Sequence, residues 1–404
     1  MIRHSHLRAA VGIFVAAIAT PCFPQEKAAP PSRPMPLAKE QIDTILSVID
    51  RLKLDYVRSV DGDEVTEQAL KGLLERIDPE GGEYFTKAEF DDFERGYEGV
   101  ARQLGIGVVI HARADALHLF PIQGGPAELA GVRSGDTLRS IDGTPTADLT
   151  PHAAAKMLRG DSASHVIVGV TRGSSTELLR FDVVRRIVQY PPVRLMRPEP
   201  DLVVLQIPTL ADRTLEDAAR ALNDEWGRRP YKGILLDLRQ NSGGLLESAI
   251  GLSAIFLQPG ALVVTTTGRI AQANQAFHAT PADYMLHGGS DPLANLAPAL
   301  RRLPLVVLVD EATASGAEIV AAALRDHGRA VIVGHVTYGR GSIQTLMALP
   351  SGGAMKITTA FYTTPSGSAL QGQGIKPDVV VNGDDAAQAL QAGLAELRKR
   401  LPPT

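Results

Sequence analysis

Ser315 and Arg340 are the two residues whose types and positions could carry chemistry. Ser315 follows an apolar run at 303–309 and stands directly before Gly316, which opens a helical stretch. A serine at this place is most often an N-cap. As a nucleophile it would gain from the helix dipole and from the Gly316 N–H as an oxyanion donor. Both interpretations stay open at this point.

A second polar turn lies within "LDLRQNSGGLL", where an apolar run ends at Asn241 and a Ser-Gly-Gly turn follows. The backbone N–H groups of Gly243 and Gly244 are expected to be exposed there. Paired free amides at the start of a helix can stabilise a developing oxyanion. An ordinary glycine turn is the alternative for this stretch taken alone.

The elements that must position these residues form a layered α/β domain. Near-continuous apolar runs of this kind are typical of strands that are buried on both faces. They occur at 202–207, 233–238, 303–309 and 330–333. Helical periodicity lies between them, at 214–227, 246–257 and 316–328. Such domains usually keep their chemistry where a strand gives way to a helix.

Residues 101–188 change to short β-rich runs separated by glycine turns. Gly105, Ile106 and Gly107 precede an apolar strand, and the order of turns, strands and short helices resembles a PDZ domain. In that family the glycine loop offers N–H groups to a peptide's terminal carboxylate, and the next strand accepts the peptide as an added edge strand. The helix at "HAAAKMLRG" would line the groove. A glycine-turn β-domain without a ligand is the alternative.

The remaining N-terminal regions are expected to be a signal, a spacer and a helical cap. Residues 1–25 have a positive start and an apolar run, as in an export signal, which predicts a periplasmic or otherwise exported protein. An uncleaved anchor or a disordered start is the alternative. A Pro-rich flexible spacer follows at 26–37. Apolar residues recur at helical spacing in the region 38–100. Cys22, the only cysteine, lies within the signal, so the mature chain is expected to have no disulfide.

Composition excludes several classes of function. The chain has 404 residues with 41 Lys+Arg and 45 Asp+Glu, and it has no basic stripe, so nucleic acid is not expected as a partner. The ten histidines are scattered, with no two at ligand spacing beside a carboxylate, and no phosphate-binding loop motif is present. We therefore expect no metal and no cofactor.

Taken together, these motifs resemble the carboxyl-terminal processing peptidases, from about residue 38 to 380. The resemblance is carried by "DLRQNSGGLL", "ATASGAEIVAAAL", "VGHVTYGRGSIQ" and "AMKITTAFYTTPSGSALQGQGIKPD", in the order and spacing of the family. It implies a crotonase-like α/β core at 189–382, an inserted PDZ domain, a helical N-terminal cap and a C-terminal helix at 383–404. It also implies cleavage of unfolded or C-terminal segments of exported proteins by a Ser/Lys dyad. By that resemblance Ser315 matches the nucleophile, Gln344 the supporting glutamine, and Gly243 and Gly316 the oxyanion positions.

One residue departs from the family pattern. The dyad lysine lies 25 positions after the serine, and that position holds Arg340. Burial can bring a lysine amine toward neutrality, whereas a guanidinium stays protonated. Three hypotheses follow: a peptidase with another base, for which His335 is the candidate and Lys356 an ordinary strand lysine; a peptide-binding pseudoprotease or scaffold; or a regulatory partner of an active homologue. An adaptor lipoprotein or a second copy of the chain is a further candidate partner.

Overall fold

The computed structural model describes residues 38–98, 103–113, 116–285, 289–383 and 385–402. Two compact units are present. The first combines residues 1–100 with 344–359, and the second combines residues 101–343 with 360–404. The predicted export signal and the spacer lie outside the described residues. Within the ranges given above, no helix is long and apolar enough to traverse a bilayer.

The first unit is mainly helical. It contains α1 (Lys39–Asp55), α2 (Gly62–Ile77), β1 (Glu83–Phe85) and α3 (Lys87–Glu98). The Asp61 side chain caps α2 by accepting a hydrogen bond from Asp63 N at 3.2 Å. Neither α1 nor α2 buries any side chain, although apolar residues recur along both at helical spacing. The short strand β1 pairs antiparallel with Ala354–Lys356.

Lys356 has a structural role in this first unit. Its ammonium group forms an ion pair with the buried Glu83 carboxylate and lies 5.6 Å from the centre of the Phe85 ring. This agrees with the prediction of an ordinary strand lysine.

The second unit begins with a β-rich domain that has its own hydrophobic core. Its elements are β2 (Gln103–Gly105), β3 (Val108–Arg113), β4 (Ala116–Pro121), α4 (Pro126–Ala130), β5 (Asp136–Ile141), β6 (Thr144–Pro145), α5 (Pro151–Leu158), β7 (His165–Thr171), β8 (Leu179–Val184) and β9 (Arg186–Val188). The main sheet has the order β3-β4-β5-β7-β8, with β6 beside β5, while β2 pairs with β9. Strand β3 is therefore at the edge of its sheet, next to helix α5.

The rest of the second unit is an α/β core. It contains β10 (Arg194–Glu199), β11 (Leu202–Gln206), α6 (Thr214–Arg228), β12 (Gly233–Asp237), α7 (Leu246–Phe256), β13 (Leu262–Gly268), β14 (Gln275–His278), α8 (Pro281–Tyr284), β15 (Leu305–Val309), α9 (Gly316–Asp326), β16 (Val331–Gly334), β17 (Ser342–Ala348), β18 (Ala354–Thr363), β19 (Val379–Val380) and α10 (Ala386–Arg398). Of β17 and β18, residues 344–359 belong to the first unit. The predicted strands and helices of this core are confirmed to within a few residues at each end.

A six-stranded sheet organises the core, in the order β10-β11-β12-β15-β16-β19. All neighbours are parallel except β10, which runs antiparallel to β11. Side chains of one parity, such as Val203 and Leu205, join the larger hydrophobic cluster with α6, α7 and α9. Those of the other parity, such as Leu202 and Val204, pack with α10. Burial on both faces is the physical reason for the near-continuous apolar runs.

The order of the parallel strands fixes where the site lies. Strands β12, β15 and β16 are neighbours, so their carboxyl ends meet at the same edge of the sheet. The loops that leave those three ends contain the glycine turn, Ser315 and Arg340 respectively. The chain therefore brings its three distinctive motifs to one place.

Candidate active site

Ser315 occupies a strained turn between β15 and α9. Its backbone has φ 53° and ψ −120°, a conformation that costs a non-glycine residue about 1–3 kcal/mol. Its side chain makes no capping hydrogen bond to the helix that it precedes. The hydroxyl is thus presented at a strand-to-helix elbow of the type that holds nucleophiles. By position, however, Ser315 is the N-cap residue of α9, and its N–H donates to Glu318 Oε2 as in one half of a capping box.

The Glu318 carboxylate ties the Ser315 turn to the loop that carries Arg340. Glu318 is 0% exposed and accepts four hydrogen bonds. Its Oε2 atom accepts from Ser315 N at 2.9 Å and from Arg340 N at 2.8 Å. Its Oε1 atom accepts from Gly339 N at 2.7 Å and from the Thr337 hydroxyl. One buried side chain thereby fixes both loops relative to each other.

The protonation of Glu318 reflects two opposing effects. Burial raises the pKa of Glu318, because a charged carboxylate loses its hydration there. The four hydrogen bonds that it accepts act in the opposite direction. The sequence interpretation missed this residue, although Ser315-x-x-Glu318 has the spacing of a capping box, which was the available signal.

The glycine turn after β12 lies against Ser315. A Cβ atom on Gly243 would stand 3.0 Å from Ala314 O and 3.1 Å from Gly316 N. The fully buried Asn241 holds this turn. Its side-chain Nδ2 donates to Ile207 O at 2.8 Å, and its backbone carbonyl accepts from Ala314 N at 2.9 Å. The two loops are therefore packed together without room for a side chain at position 243.

The prediction that both glycine amides are exposed is wrong for Gly243. Its N–H donates to Asn241 Oδ1 at 2.9 Å, because the asparagine side chain closes a local turn over its own loop. Gly316 is the first residue of α9, where backbone amides have no partner within the helix. A Cβ atom on Gly316 would lie 3.9 Å from Gly244 N, so the glycine turn after β12 also lies close to the start of α9. The oxyanion role of the three glycines stays a prediction.

The Asp310 carboxylate links the glycine turn after β12 to the Ser315 turn. Its carboxylate accepts hydrogen bonds from Gln240 N at 3.1 Å and from Thr313 N at 3.0 Å. Gln240 Nε2 also donates to it, at 2.5 Å. Burial raises the pKa of Asp310, and these hydrogen bonds oppose that rise.

Arg340 stands where the family pattern has an amine, and its charge acts on Tyr362. The pKa of the Tyr362 phenol is raised to about 12, chiefly by burial and also by Glu247, while Arg340 acts in the opposite direction. The guanidinium and the Glu247 carboxylate therefore act on the same hydroxyl, and Tyr362 N donates to Gly341 O at 2.7 Å. At neutral pH neither the phenol nor the guanidinium can accept the proton of Ser315.

His335 follows the end of β16 and interacts with a residue that follows β15. Its Nδ1 atom lies 3.2 Å from Glu311 Oε1, and its side chain is 20% exposed. In the part of the chain that the structure describes, no hydrogen bond joins His335 to Ser315. A carboxylate on Nδ1 is the arrangement that orients a catalytic histidine, with Nε2 as the proton acceptor.

Gln344 lies in β17 within the first unit, where a Cβ atom on Gly81 would approach its Cγ at 3.1 Å. Its role as the supporting glutamine stays a prediction. Across the described ranges, no group of three or more His, Cys, Asp and Glu side chains could hold a metal ion.

The peptide-binding loop predicted at Gly105–Gly107 has the expected surroundings. It leads into β3, and β3 is an edge strand next to helix α5. The Ile106 side chain is buried in the core of the β-rich domain. Gly107 has φ 73°, and a Cβ atom there would stand 3.2 Å from Pro126 Cδ and from both methyl groups of Val188. Glycine is therefore required at 107, and the free edge of β3 can accept a strand.

Comparison with known proteins gives two family matches. Residues 201–381 match the peptidase family S41, and residues 121–172 match the PDZ domain. A carboxy-terminal-processing protease of Bartonella bacilliformis is 33% identical over 345 residues, which are 85% of this chain and 75% of that protein. The carboxy-terminal processing protease CtpA of Bacillus subtilis is 26% identical over 352 residues, 86% of this chain and 70% of that protein.

A solved structure shows the same fold. The photosystem II D1 C-terminal processing protease superposes with a TM-score of 0.69 at 24% sequence identity. The superposition covers 89% of this chain and 97% of that one. The two chains thus share their fold over most of their length.

Proposed function

Since the chain belongs to peptidase family S41 and carries a PDZ domain, we propose that it is an exported serine peptidase that cleaves unfolded or C-terminal polypeptide segments, with Ser315 as the nucleophile. The observation that carries this proposal is the backbone of Ser315 at φ 53°. Backbone strain of this kind clusters at functional sites, and the Ser315 hydroxyl does not offset the strain by capping the helix.

In this mechanism Ser315 Oγ attacks the carbonyl carbon of the scissile peptide bond. The amides of Gly244 and Gly316 stabilise the oxyanion, and the leaving amine takes up a proton as the acyl-enzyme forms. Water then hydrolyses the ester. His335, whose Nδ1 lies beside Glu311, is the proton acceptor of this proposal. The Arg340 guanidinium is already protonated and cannot accept the proton. Catalytic hydrogen bonds are often long or poorly aligned in substrate-free structures and tighten in the complex.

The substrates follow from the PDZ domain and the export signal. A C-terminal segment would add to the edge of β3, and its carboxylate would bind the loop at Gly105–Gly107. The positive start and apolar run of residues 1–25 support a periplasmic or otherwise exported location, so the segments belong to exported proteins. The exposed apolar residues of α1 support an adaptor lipoprotein or a second copy of the chain as a further partner.

A second candidate function is peptide binding without cleavage. Two observations favour it: Arg340 stands at the position of the family's lysine, and no hydrogen bond links Ser315 to His335 among the described residues. In that case the guanidinium would bind a carboxylate of the peptide through its paired donors. The protein would then be a pseudoprotease, a scaffold or a regulatory subunit.

The test is to incubate the protein with an unfolded polypeptide that has an apolar C-terminus, and to compare four forms. Cleavage by the wild type that is lost in both Ser315→Ala and His335→Ala supports the peptidase with a histidine base. Cleavage by Arg340→Lys alone supports the binding function. Cleavage that survives Ser315→Ala would overturn the proposed nucleophile.

A further inference from the structure

The PDZ domain contacts the loop that carries Arg340 at Tyr338. Arg113 Nη1 donates to Tyr338 O at 3.0 Å, and the guanidinium lies 5.3 Å from the centre of the Tyr338 ring. The edge of the Phe120 ring meets the same ring at a centroid distance of 5.0 Å. The centre of the His111 ring lies 5.5 Å from the centre of the Tyr338 ring. Tyr338 lies between Thr337 and Gly339, which both donate to Glu318.

The strand that makes this contact is also the strand with the free edge. Side chains alternate along β3, so that Val108, Ile110 and Ala112 pack on the core of the PDZ domain. His111 and Arg113 point to the opposite face, toward Tyr338. Tyr338 thus connects β3 to the loop whose backbone donors Glu318 binds.

His111 is the unusual member of this contact. It is 5% exposed, and neither of its ring nitrogens has a hydrogen-bond partner among the residues that the structure describes. Its ring meets the edge of Phe120 at 4.9 Å. Such a site suits a neutral imidazole, because a buried imidazolium without an acceptor would lose its hydration with no compensation.

The charged and titratable groups around His111 do not favour its protonation. Arg113 lies on the same face of its own strand, and His118 stands directly opposite it on β4. The loop contributes Tyr338 and is followed by Arg340. None of these groups is acidic, within the part of the chain that the structure describes. A proton on His111 would therefore add a positive charge beside Arg113.

We propose that His111 is an acid-sensitive latch, which docks β3 on Tyr338 while its ring is neutral and releases the loop 337–340 when the ring is protonated. The consequence for catalysis rests on the proposed function, but the docking does not. Docking does not depend on pH while the released ring is neutral. Once acid protonates the released ring, docking weakens by at most about tenfold per pH unit, because one proton is taken up on release.

Hydrogen exchange measured by mass spectrometry on the full chain tests the latch. The amides of Gly339 and Arg340 are observed between pH 5 and 8, with rates corrected for the intrinsic pH dependence of exchange. We expect their protection in the wild type to fall several-fold between pH 7 and 5.5. His111→Phe, which keeps an aromatic ring but cannot be protonated, should hold its protection over this range. His111→Arg should lose it already at pH 7.5.

Two outcomes would overturn the latch. One is wild-type protection that does not change with pH. The other is a His111→Phe variant that keeps the full pH dependence, which would assign the effect to titration of Glu318 instead. His165→Gln is the matched control, because His165 is an exposed histidine of the same domain that pairs with Asp182, and it should behave as the wild type. These readouts need no peptidase activity, so failure of the latch and failure of the proposed function are distinguishable.

Discussion

Gly243 lies so close to Ser315 that a Cβ atom on the glycine would stand 2.7 Å from the Cβ atom of the serine. Real Cβ atoms do not approach each other to this distance, so the two loops can meet only if position 243 has no side chain. The contact also accounts for the backbone of Gly243 at φ 100°, which L-residues rarely adopt.

The first prediction is that Gly243→Ala displaces the Ser315 turn. We expect loss of both substrate cleavage and labelling of Ser315 by a serine-reactive phosphonate. Gly260→Ala is the matched control, because Gly260 also has a positive φ of 81° but a Cβ atom there would meet nothing within 4 Å. It should lose about 1–2 kcal/mol of stability from backbone strain and keep its reactivity. Normal labelling of Gly243→Ala would contradict the packing described.

The second prediction concerns the pH profile of Arg340→Lys. A lysine base acts through its neutral amine, so cleavage should rise about tenfold per pH unit until the amine is deprotonated. The wild type, which has a guanidinium at that position, should show no such alkaline rise. Rates with an unfolded substrate between pH 5 and 10 distinguish the two profiles. Arg340→Met, which has neither charge nor base, should show no alkaline rise.

The third prediction is that Glu318→Gln uncouples the two loops. The carboxylate accepts two hydrogen bonds at each oxygen, and an amide presents its own N–H groups at one of those positions. Each donor left without an acceptor costs about 1–3 kcal/mol. A clear fall in melting temperature is expected, together with loss of Ser315 labelling.

The control for that substitution is Glu216→Gln in α6. Glu216 is exposed and pairs with the exposed Arg213 and Arg220, and such surface pairs contribute little. Equal melting temperatures for the Glu318 and Glu216 variants would mean that the buried network does not hold the loops.

The fourth prediction concerns the terminal carboxylate of the bound peptide. An apolar peptide with a free C-terminus should bind Ser315→Ala about 10–100-fold more tightly than its C-terminal amide, since hydrogen bonds to a charged group contribute about 1.5–3 kcal/mol. Fluorescence anisotropy measures both affinities. Gly107→Ala, in which the new methyl group would approach Val188, should remove most of the difference. Equal affinities for acid and amide would exclude carboxylate recognition.

Much of the fold could be predicted because its signals are local. Strands that are buried on both faces must be apolar throughout, and for that reason β11, β12, β15 and β16 were identified from composition alone. The family and the fold class, an S41 peptidase core with a PDZ domain, are confirmed by the comparisons. The strand β1 was missed, because three residues carry no periodicity and its partner lies far along the chain.

The parts of the site that were missed depend on contacts without a local signal. Arg113 and Tyr338 are 225 residues apart in the sequence, so nothing in either segment indicates their hydrogen bond. The Gly243 amide was expected to be free, yet the Asn241 side chain two residues earlier accepts its hydrogen bond. The Glu311–His335 pair arises because β15 and β16 are adjacent and parallel, which only the strand order reveals.

Glu318 holds residue 340 through its main-chain N–H. This hydrogen bond does not depend on which side chain stands at position 340. Replacement of Arg340 by lysine therefore changes the ionisable group beside Ser315 and leaves this main-chain contact between the two loops in place.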